Sequence, residues 1–188
     1  IELVPNGVDE FFTPGDGEEE DFILFAGTLE PRKGIDDLVD AWRALPPPRP
    51  RLVLCGGEGW GTRVANDEGI VRTGYVTREQ LRDLYRRALL FVYPSRHEGF
   101  GIPPLEAMAC GAPVIATRTG AIADYAEGAA LLVEPGARDA LRDAVARVVR
   151  DASLRRELRA RGPERASSWR WERGASAMSD LLSHAASR

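Results

Sequence analysis

The sequence predicts an α/β fold, a doubly wound parallel sheet with helices on both faces. Three observations predict it. Short apolar runs alternate with amphipathic segments along the 188 residues, the pattern of consecutive βαβ units. The first two apolar runs each lead straight into glycine, as FILFAG and LVLCGG. The stretch from Leu89 to Thr117 reads as strand, glycine loop, proline-started helix and strand, which is half of a nucleotide-binding sheet.

The elements follow in order. Residues 1–21 are linker-like, with Pro, Gly and the acidic run 16–21. Residues 22–26 (FILFA) form a buried strand. Ile35, Leu38, Val39 and Trp42 recur with helical period over residues 34–45, and three prolines at 46–48 end that helix. Residues 52–55 are the second strand, and Ile70 and Val71 begin a short third. Thr77 caps a helix running to Ala88, with Glu79 and Gln80 near its start. Residues 89–93, 114–117 and 131–134 are strands four to six. Helices are expected over 139–149, 154–160 and 169–185, the last after a cap signal at Ser167-Ser168. The order predicts a ligand outside the carboxyl ends of the strands, met by the loops after strands one, four and five.

Composition narrows the function classes. The net charge of −4 gives no bulk attraction to nucleic acid or an anionic membrane. No apolar run reaches bilayer length, and no charged-then-apolar leader opens the chain. The first residue is Ile1 rather than Met, as expected of an excised piece. Cys55 and Cys110 are too few for a disulfide scaffold and read as buried thiols. Of the 25 basic residues, Lys33 is the sole lysine. It stands beside Arg32 in a loop after a strand, where an ammonium and a guanidinium offer different grips on phosphate.

The most informative segment is 94–117, PSRHEGFGIPPLEAMACGAPVIAT. Glycines in Glu98-Gly99-Phe100-Gly101 let backbone amides approach a ligand. Pro103 and Pro104 suit a first helical turn, whose free amides and dipole favour an anion. Glu98 lies on the loop, and Glu106 is expected in the first turn of the helix. A phosphate cradle flanked by two hydroxyl-accepting acids fits a sugar nucleotide better than a bare phosphate or a nucleic acid. Other motifs fail. GGEGWG at 56–61 has Thr62 where a dinucleotide fingerprint needs glycine, and Gly34 follows Lys33 where a Walker loop needs Ser or Thr. His97 has no visible partner for acid–base work. No His/Cys/Asp cluster argues for a metal.

EGFGIPPLE, with seven residues between Glu98 and Glu106, resembles the signature of the family-4 retaining glycosyltransferases, which have the GT-B fold. VPNGVD (4–9), GTLEPRKG (27–34), LVLCGGEG (52–59), VRTGYV (71–76) and SSWRWE (167–172) fall in that family's order. The resemblance implies the Rossmann-like C-terminal, donor-binding lobe, with 1–21 the interlobe linker and 22–166 the sugar-nucleotide domain. Residues 167–188 would be a helix returning toward an absent N-terminal, acceptor-binding lobe. It implies that Lys33 and Arg32 meet the diphosphate, Glu98 the donor sugar and Glu106 the ribose. The amides of Phe100, Gly101 and Ile102, with Gly99, would line the donor. Tyr75 and Val76 would meet the base, and Gly27 and Thr28 would border the diphosphate. Many members carry an arginine where this chain has Thr28.

The implied reaction is hexosyl transfer with retention from a nucleoside-diphosphate sugar, GDP-mannose before a UDP- or ADP-hexose, with no cofactor and no metal. The alternative is a non-catalytic sugar-nucleotide module. The two acids and GTLEPRKG speak against an epimerase-type GT-B enzyme, and a nicotinamide enzyme is more remote. Taken alone the chain is expected to bind donor without transfer. It is expected to be cytoplasmic, with any contact at the inner membrane face made through the absent lobe.

Overall fold

The computed structural model describes residues 4, 6–61 and 67–186. Six strands form one parallel sheet in the order β3-β2-β1-β4-β5-β6. They are β1 Glu20–Ala26, β2 Arg51–Cys55, β3 Ile70–Gly74, β4 Ala88–Tyr93, β5 Val114–Thr117 and β6 Leu131–Val133. The chain starts at the centre, builds outward to β3, returns to the centre at β4 and builds the other way. The helices are α1 Ile35–Arg43, α2 Arg78–Arg87, α3 Ile102–Ala109, α4 Ile122–Ala126, α5 Arg138–Arg150, α6 Ala152–Ser167 and α7 Trp171–Ala186. Right-handed crossovers that step in opposite directions along a sheet lie on opposite faces. Accordingly α1 packs with α5 in one layer, and α3 packs with α2 and α6 in the other.

Burial explains the strand sequences. All six residues of β4 and the last five of β1 are buried, so both read as unbroken apolar runs, as a strand covered on both faces must. Edge strand β3 is mostly exposed and carries Arg72 and Thr73. In α1 the stripe Ile35, Leu38, Val39 and Trp42 is buried, and the Trp42 indole donates to Pro50 O at 2.7 Å. Helix α2 opens with a capping box. Gln80 N donates to Thr77 Oγ1 at 3.3 Å, and Thr77 N donates to Gln80 Oε1 at 2.9 Å, which satisfies two donors that a helix start leaves open.

Two sequence expectations need correction, and one helix goes unmarked in the sequence. Helix α4 was not foreseen, because five residues (IADYA) are too few to show a period. Helix α6 does not stop near Ala160 but runs through Gly162 and Pro163 to Ser167. A Cβ at Gly162 would lie 3.0 Å from Met108 O, so α6 approaches α3 closely there, and that packing outweighs the bond lost at proline. The Ser167-Ser168 pair does not start α7. Ser167 ends α6, Ser168 is its C-cap, and Ser167 Oγ donates to Glu164 O at 2.6 Å.

The segment read as a linker takes part in the core. Val8 and Phe12 are buried, Val8 N donates to Trp169 O at 2.8 Å, and Phe12 meets the Tyr85 ring edge-on. Its residues 1–3 and 5 lie outside the described residues, as do 187 and 188 of the terminal segment. Helix α7 buries only Gly174, and Trp171, Met178 and Leu182 stand exposed on it.

Candidate functional site

The strand order reverses between β1 and β4, and in doubly wound sheets ligands bind at the carboxyl ends of the strands at this switch point. A 3-10 turn over Pro31–Lys33 follows β1, and Gly34 links it to α1 in the left-handed conformation, φ 67°. A Cβ on Gly34 would lie 2.2 Å from Pro94 O. Only glycine lets the β1 loop settle this close to the loop after β4. The contact is reinforced by Arg96 N donating to Arg32 O at 2.7 Å and by Arg96 pairing with buried Asp37 of α1 at 3.0 Å. Gly34→Ala is therefore expected to cost several kcal/mol, above the ~1 kcal/mol typical of a left-handed glycine alone, because the clash is with backbone. Chemical denaturation checks this, and a loss below ~1 kcal/mol would show that the two loops part without cost.

The close approach brings Lys33 and Glu98 together. Lys33 Nζ lies 2.6 Å from Glu98 Oε1 and donates to the Tyr93 hydroxyl at 2.7 Å. The same Glu98 oxygen accepts from Tyr93 at 3.0 Å and from Ser95 Oγ at 2.6 Å. Arg32 approaches it at 3.5 Å and pairs with Glu30 at 2.8 Å. Lys33, Tyr93 and Ser95 are buried, whereas Arg32 is exposed. Burial alone would raise the Glu98 carboxyl. The hydrogen bonds from Lys33, Ser95 and Tyr93 and the Lys33 charge override it and hold the carboxyl below its ordinary value.

Glu106 forms a separate cluster. With Gly101 at the N-cap, Glu106 lies in the second turn of α3, not the first as the sequence implied. The prolines at N2 and N3 made the helix seem to begin later than it does. Its Oε2 accepts from the buried Tyr85 hydroxyl at 3.2 Å. Burial pushes the carboxyl up to about 7, against the Tyr85 hydrogen bond and the Arg78 charge, while Asp9 adds to the rise.

The glycine loop lies between these clusters in sequence. Among the described residues, the amides of Gly99, Phe100, Gly101 and Ile102 have no hydrogen-bond acceptor. Gly101 is held through its carbonyl, which accepts from the Tyr125 hydroxyl. Phe100 packs on Tyr125 and Trp169, and Ile102 is partly exposed. A cleft of about 690 Å³ opens beside Gly99 and Phe100, walled also by Asn6, Asp124, Trp169 and Arg173, and Lys33, Arg32, Glu98 and Glu106 are not among its walls. The GGEGWG loop docks on the β1 loop, with Leu29 N donating to Gly57 O and Gly59 N to Leu29 O, both at 2.9 Å. Gly27 N donates to Cys55 O, and Thr28 is exposed beside it. Tyr75 is 85% exposed with its ring against Gly57, and Val76 is half-buried.

The structure thus joins Lys33, Arg32 and Glu98, places Glu106 on a different set of partners, and leaves Tyr75 on the rim. Sequence reasoning missed Tyr93, Ser95 and Tyr85. Tyr93 and Ser95 stand at i and i+2 of an extended segment, which turns both to one side; that spacing at a strand's carboxyl end was the available signal. His97 is exposed, and its carbonyl lies 3.4 Å from the Arg32 guanidinium. Among the described residues no group of three or more His, Cys, Asp or Glu side chains stands together as a metal site, and no helix is long and apolar enough to cross a membrane.

The doubly wound parallel sheet is of the Rossmann-like class and matches glycosyltransferases of the GT-B fold. The chain superimposes on a sucrose-phosphate synthase of Thermosynechococcus elongatus with a TM-score of 0.85 and 29% identity, over 99% of this chain and 53% of that one. It also superimposes on the C-terminal domain of a glycosyl transferase group 1 family protein of Francisella tularensis, with a TM-score of 0.73 and 23% identity, over 86% of this chain and 97% of that one. Residues 9–165 match the family model described as glycosyl transferases group 1, and the chain belongs to that family. It is 39% identical to the O-antigen chain mannosyltransferase B of Escherichia coli over 80% of this chain. The chain spans less than half of that relative, 42% of its length.

Proposed function

We propose that this chain is the C-terminal, donor-binding lobe of a retaining glycosyltransferase of family 4 that takes a nucleoside-diphosphate hexose, GDP-mannose first. The observation that carries the reading is the Lys33–Glu98 pair at the switch point, 2.6 Å apart and nearly buried. It sets a cation for a diphosphate beside an acceptor for a sugar hydroxyl. The likeness to a mannosyltransferase favours mannose over other hexoses, and the match to a C-terminal domain along almost its whole length favours the lobe assignment.

In this reading Lys33 and Arg32 neutralise charge on the departing diphosphate as the glycosidic bond breaks, a contribution made mainly in the transition state. The uncommitted amides of Phe100, Gly101 and Ile102 add donors to the same oxygens. Glu98 orients the hexose, Glu106 accepts from the ribose hydroxyls, and the backbone at Tyr75 and Val76 borders the base. Gly27 and Thr28 form the floor under the diphosphate. No protein nucleophile is invoked. The acceptor belongs to the N-terminal lobe, so this chain alone binds donor without transferring the sugar, and any membrane contact is made by that lobe.

The test is a calorimetric panel of GDP, UDP and ADP with their hexose derivatives, beside a transfer assay with labelled GDP-mannose. The expected result is nucleoside-diphosphate binding that survives EDTA, strongest for the guanine series, with transfer only when both lobes are present. Absence of binding to every nucleoside diphosphate overturns the reading. Loss of binding on chelation would remove the claim that side-chain cations suffice.

A further inference from the structure

Hydrogen-bond valence around the Lys33–Glu98 pair is used unevenly. An ammonium has three donors and a carboxylate two acceptor oxygens. Lys33 Nζ commits one proton to the Tyr93 hydroxyl at 2.7 Å and one to Glu98 Oε1 at 2.6 Å. The third has no acceptor among the described residues. On Glu98, Oε1 accepts from Lys33, Tyr93 and Ser95 at 2.6, 3.0 and 2.6 Å, whereas Oε2 accepts from none of the described residues. Tyr93 closes the ring, since its oxygen accepts from Lys33 and its proton goes to Glu98.

Both neutral partners are held rigidly. Tyr93 is 1% exposed, and its ring stacks with those of Phe25 and Phe91, with centroids 6.0 and 6.1 Å away. Ser95 is fully buried, and its carbonyl accepts from Thr117 Oγ1 on β5. The Ser95 hydroxyl has three oxygens in reach, Glu98 Oε1 at 2.6 Å and the Arg32 and His97 carbonyls each at 3.2 Å. Its single proton goes to the shortest contact, which is also the charge-assisted one.

We infer that Tyr93 and Ser95 are positioning residues of the donor site. They saturate Glu98 Oε1 and one Lys33 proton, so that Glu98 Oε2 and the remaining Lys33 N–H are presented in fixed directions to a sugar hydroxyl and a diphosphate oxygen. The inference rests on the donor-lobe reading above and deepens it. The two residues act differently. Tyr93 touches both members of the pair, whereas Ser95 touches only Glu98. Removing the Tyr93 hydroxyl therefore loosens the grip on diphosphate and sugar together. Removing the Ser95 hydroxyl loosens only the grip on the sugar.

Tyr93→Phe keeps the stacked ring and deletes one oxygen, and Ser95→Ala deletes one hydroxyl. Titration calorimetry with guanosine, GDP and GDP-mannose reads both variants, with thermal melts as the check on folding. For Tyr93→Phe, GDP affinity is expected to fall about three- to tenfold with guanosine unchanged. For Ser95→Ala, GDP is expected to be spared while GDP-mannose weakens by a similar factor. In a Lys33→Met background, Tyr93→Phe is expected to cost no further GDP affinity. A packing role alone would instead weaken all three ligands together, or act additively with Lys33→Met, and either result overturns the inference. If Tyr93→Phe does not fold, the Ser95→Ala contrast between GDP and GDP-mannose decides. If the unsubstituted chain binds no nucleoside diphosphate, the donor-lobe reading falls and takes this one with it. If it binds GDP and both variants match it on all ligands, only the positioning role is overturned.

Discussion

Lys33→Met is expected to lower affinity for a nucleoside diphosphate by about ten- to hundredfold, the weight of a charge-assisted contact, and to leave the nucleoside unaffected. The fold also responds. Lys33 and Glu98 have side chains only 9% and 10% exposed, and removing one partner of a buried pair strands the other, typically at about 3–5 kcal/mol. Here the loss falls toward the lower end, because Glu98 keeps its Tyr93 and Ser95 donors and has Arg32 at 3.5 Å. The stranded carboxyl can also take a proton, so the destabilisation is expected to be greater at pH 8 than at pH 5. Calorimetry with the diphosphate and the nucleoside, and denaturation at both pH values, measure the two effects. Equal weakening of both ligands would assign the lysine to folding or to the base.

Glu106→Gln carries the second large effect, with opposite signs for stability and binding. In the folded chain the Glu106 carboxyl is raised from 4.5 to about 7, so ionisation is easier once the chain unfolds. A carboxyl raised by folding contributes stability that is full below the unfolded value and is lost as pH rises through the folded one. The window is therefore about pH 4.5 to 7, and the ceiling is about 3 kcal/mol at 1.36 kcal/mol per unit. Glutamine cannot ionise and still accepts from Tyr85. The variant should melt higher than the unsubstituted chain at pH 8 and close to it at pH 5. Nucleotide binding should move the other way. In the proposed ribose-binding role, only the ionised carboxylate would accept from both hydroxyls without offering a competing proton. Affinity should rise from pH 6 to pH 8, more steeply in the unsubstituted chain than in the variant, and comparison with the variant removes the ionisation of the nucleotide's own phosphate. A variant that melts lower at pH 8 would mean that the carboxylate is satisfied where it stands.

The sheet was legible because buried parallel strands leave a plain record. β5 was placed at 114–117, and β1, β2 and β4 were found to within two residues, since a strand covered on both faces has nothing but apolar side chains to show. What stayed hidden was set by packing between elements. The five residues of α4 are shorter than two turns, so no period is written in them. The Gly162-Pro163 step stops an isolated helix, but contact with α3 carries α6 past it. The glycines, Lys33 and the two glutamates stood out as candidates by chemistry. Strand order already brought the loops after β1 and β4 to one ligand, but the direct Lys33–Glu98 contact was not legible, because spacing along the chain carries no information about which side chains touch. Seven intervening residues made Glu98 and Glu106 look like a pair, while the close partner of Glu98 is Lys33, 65 residues away. Tyr93 was masked for a simpler reason, since a tyrosine ending an apolar strand reads as core, and its two-residue spacing from Ser95 was the one mark of another role.

The long reach between Lys33 and Glu98 has a consequence for how the protein is made. Within this chain the Lys33 turn is made before β2, β3 and α2, and all of these are made before β4. β4 cannot pair with β1 until residues 88–93 have been made, so the seam that holds the ammonium cannot close before then. Until then the chain's only lysine has neither the phenol nor the carboxylate that shield it afterwards. The mature ion pair thus marks the joining of β4 to β1, and a nascent chain halted before residue 98 carries the cation without the acid that tempers it.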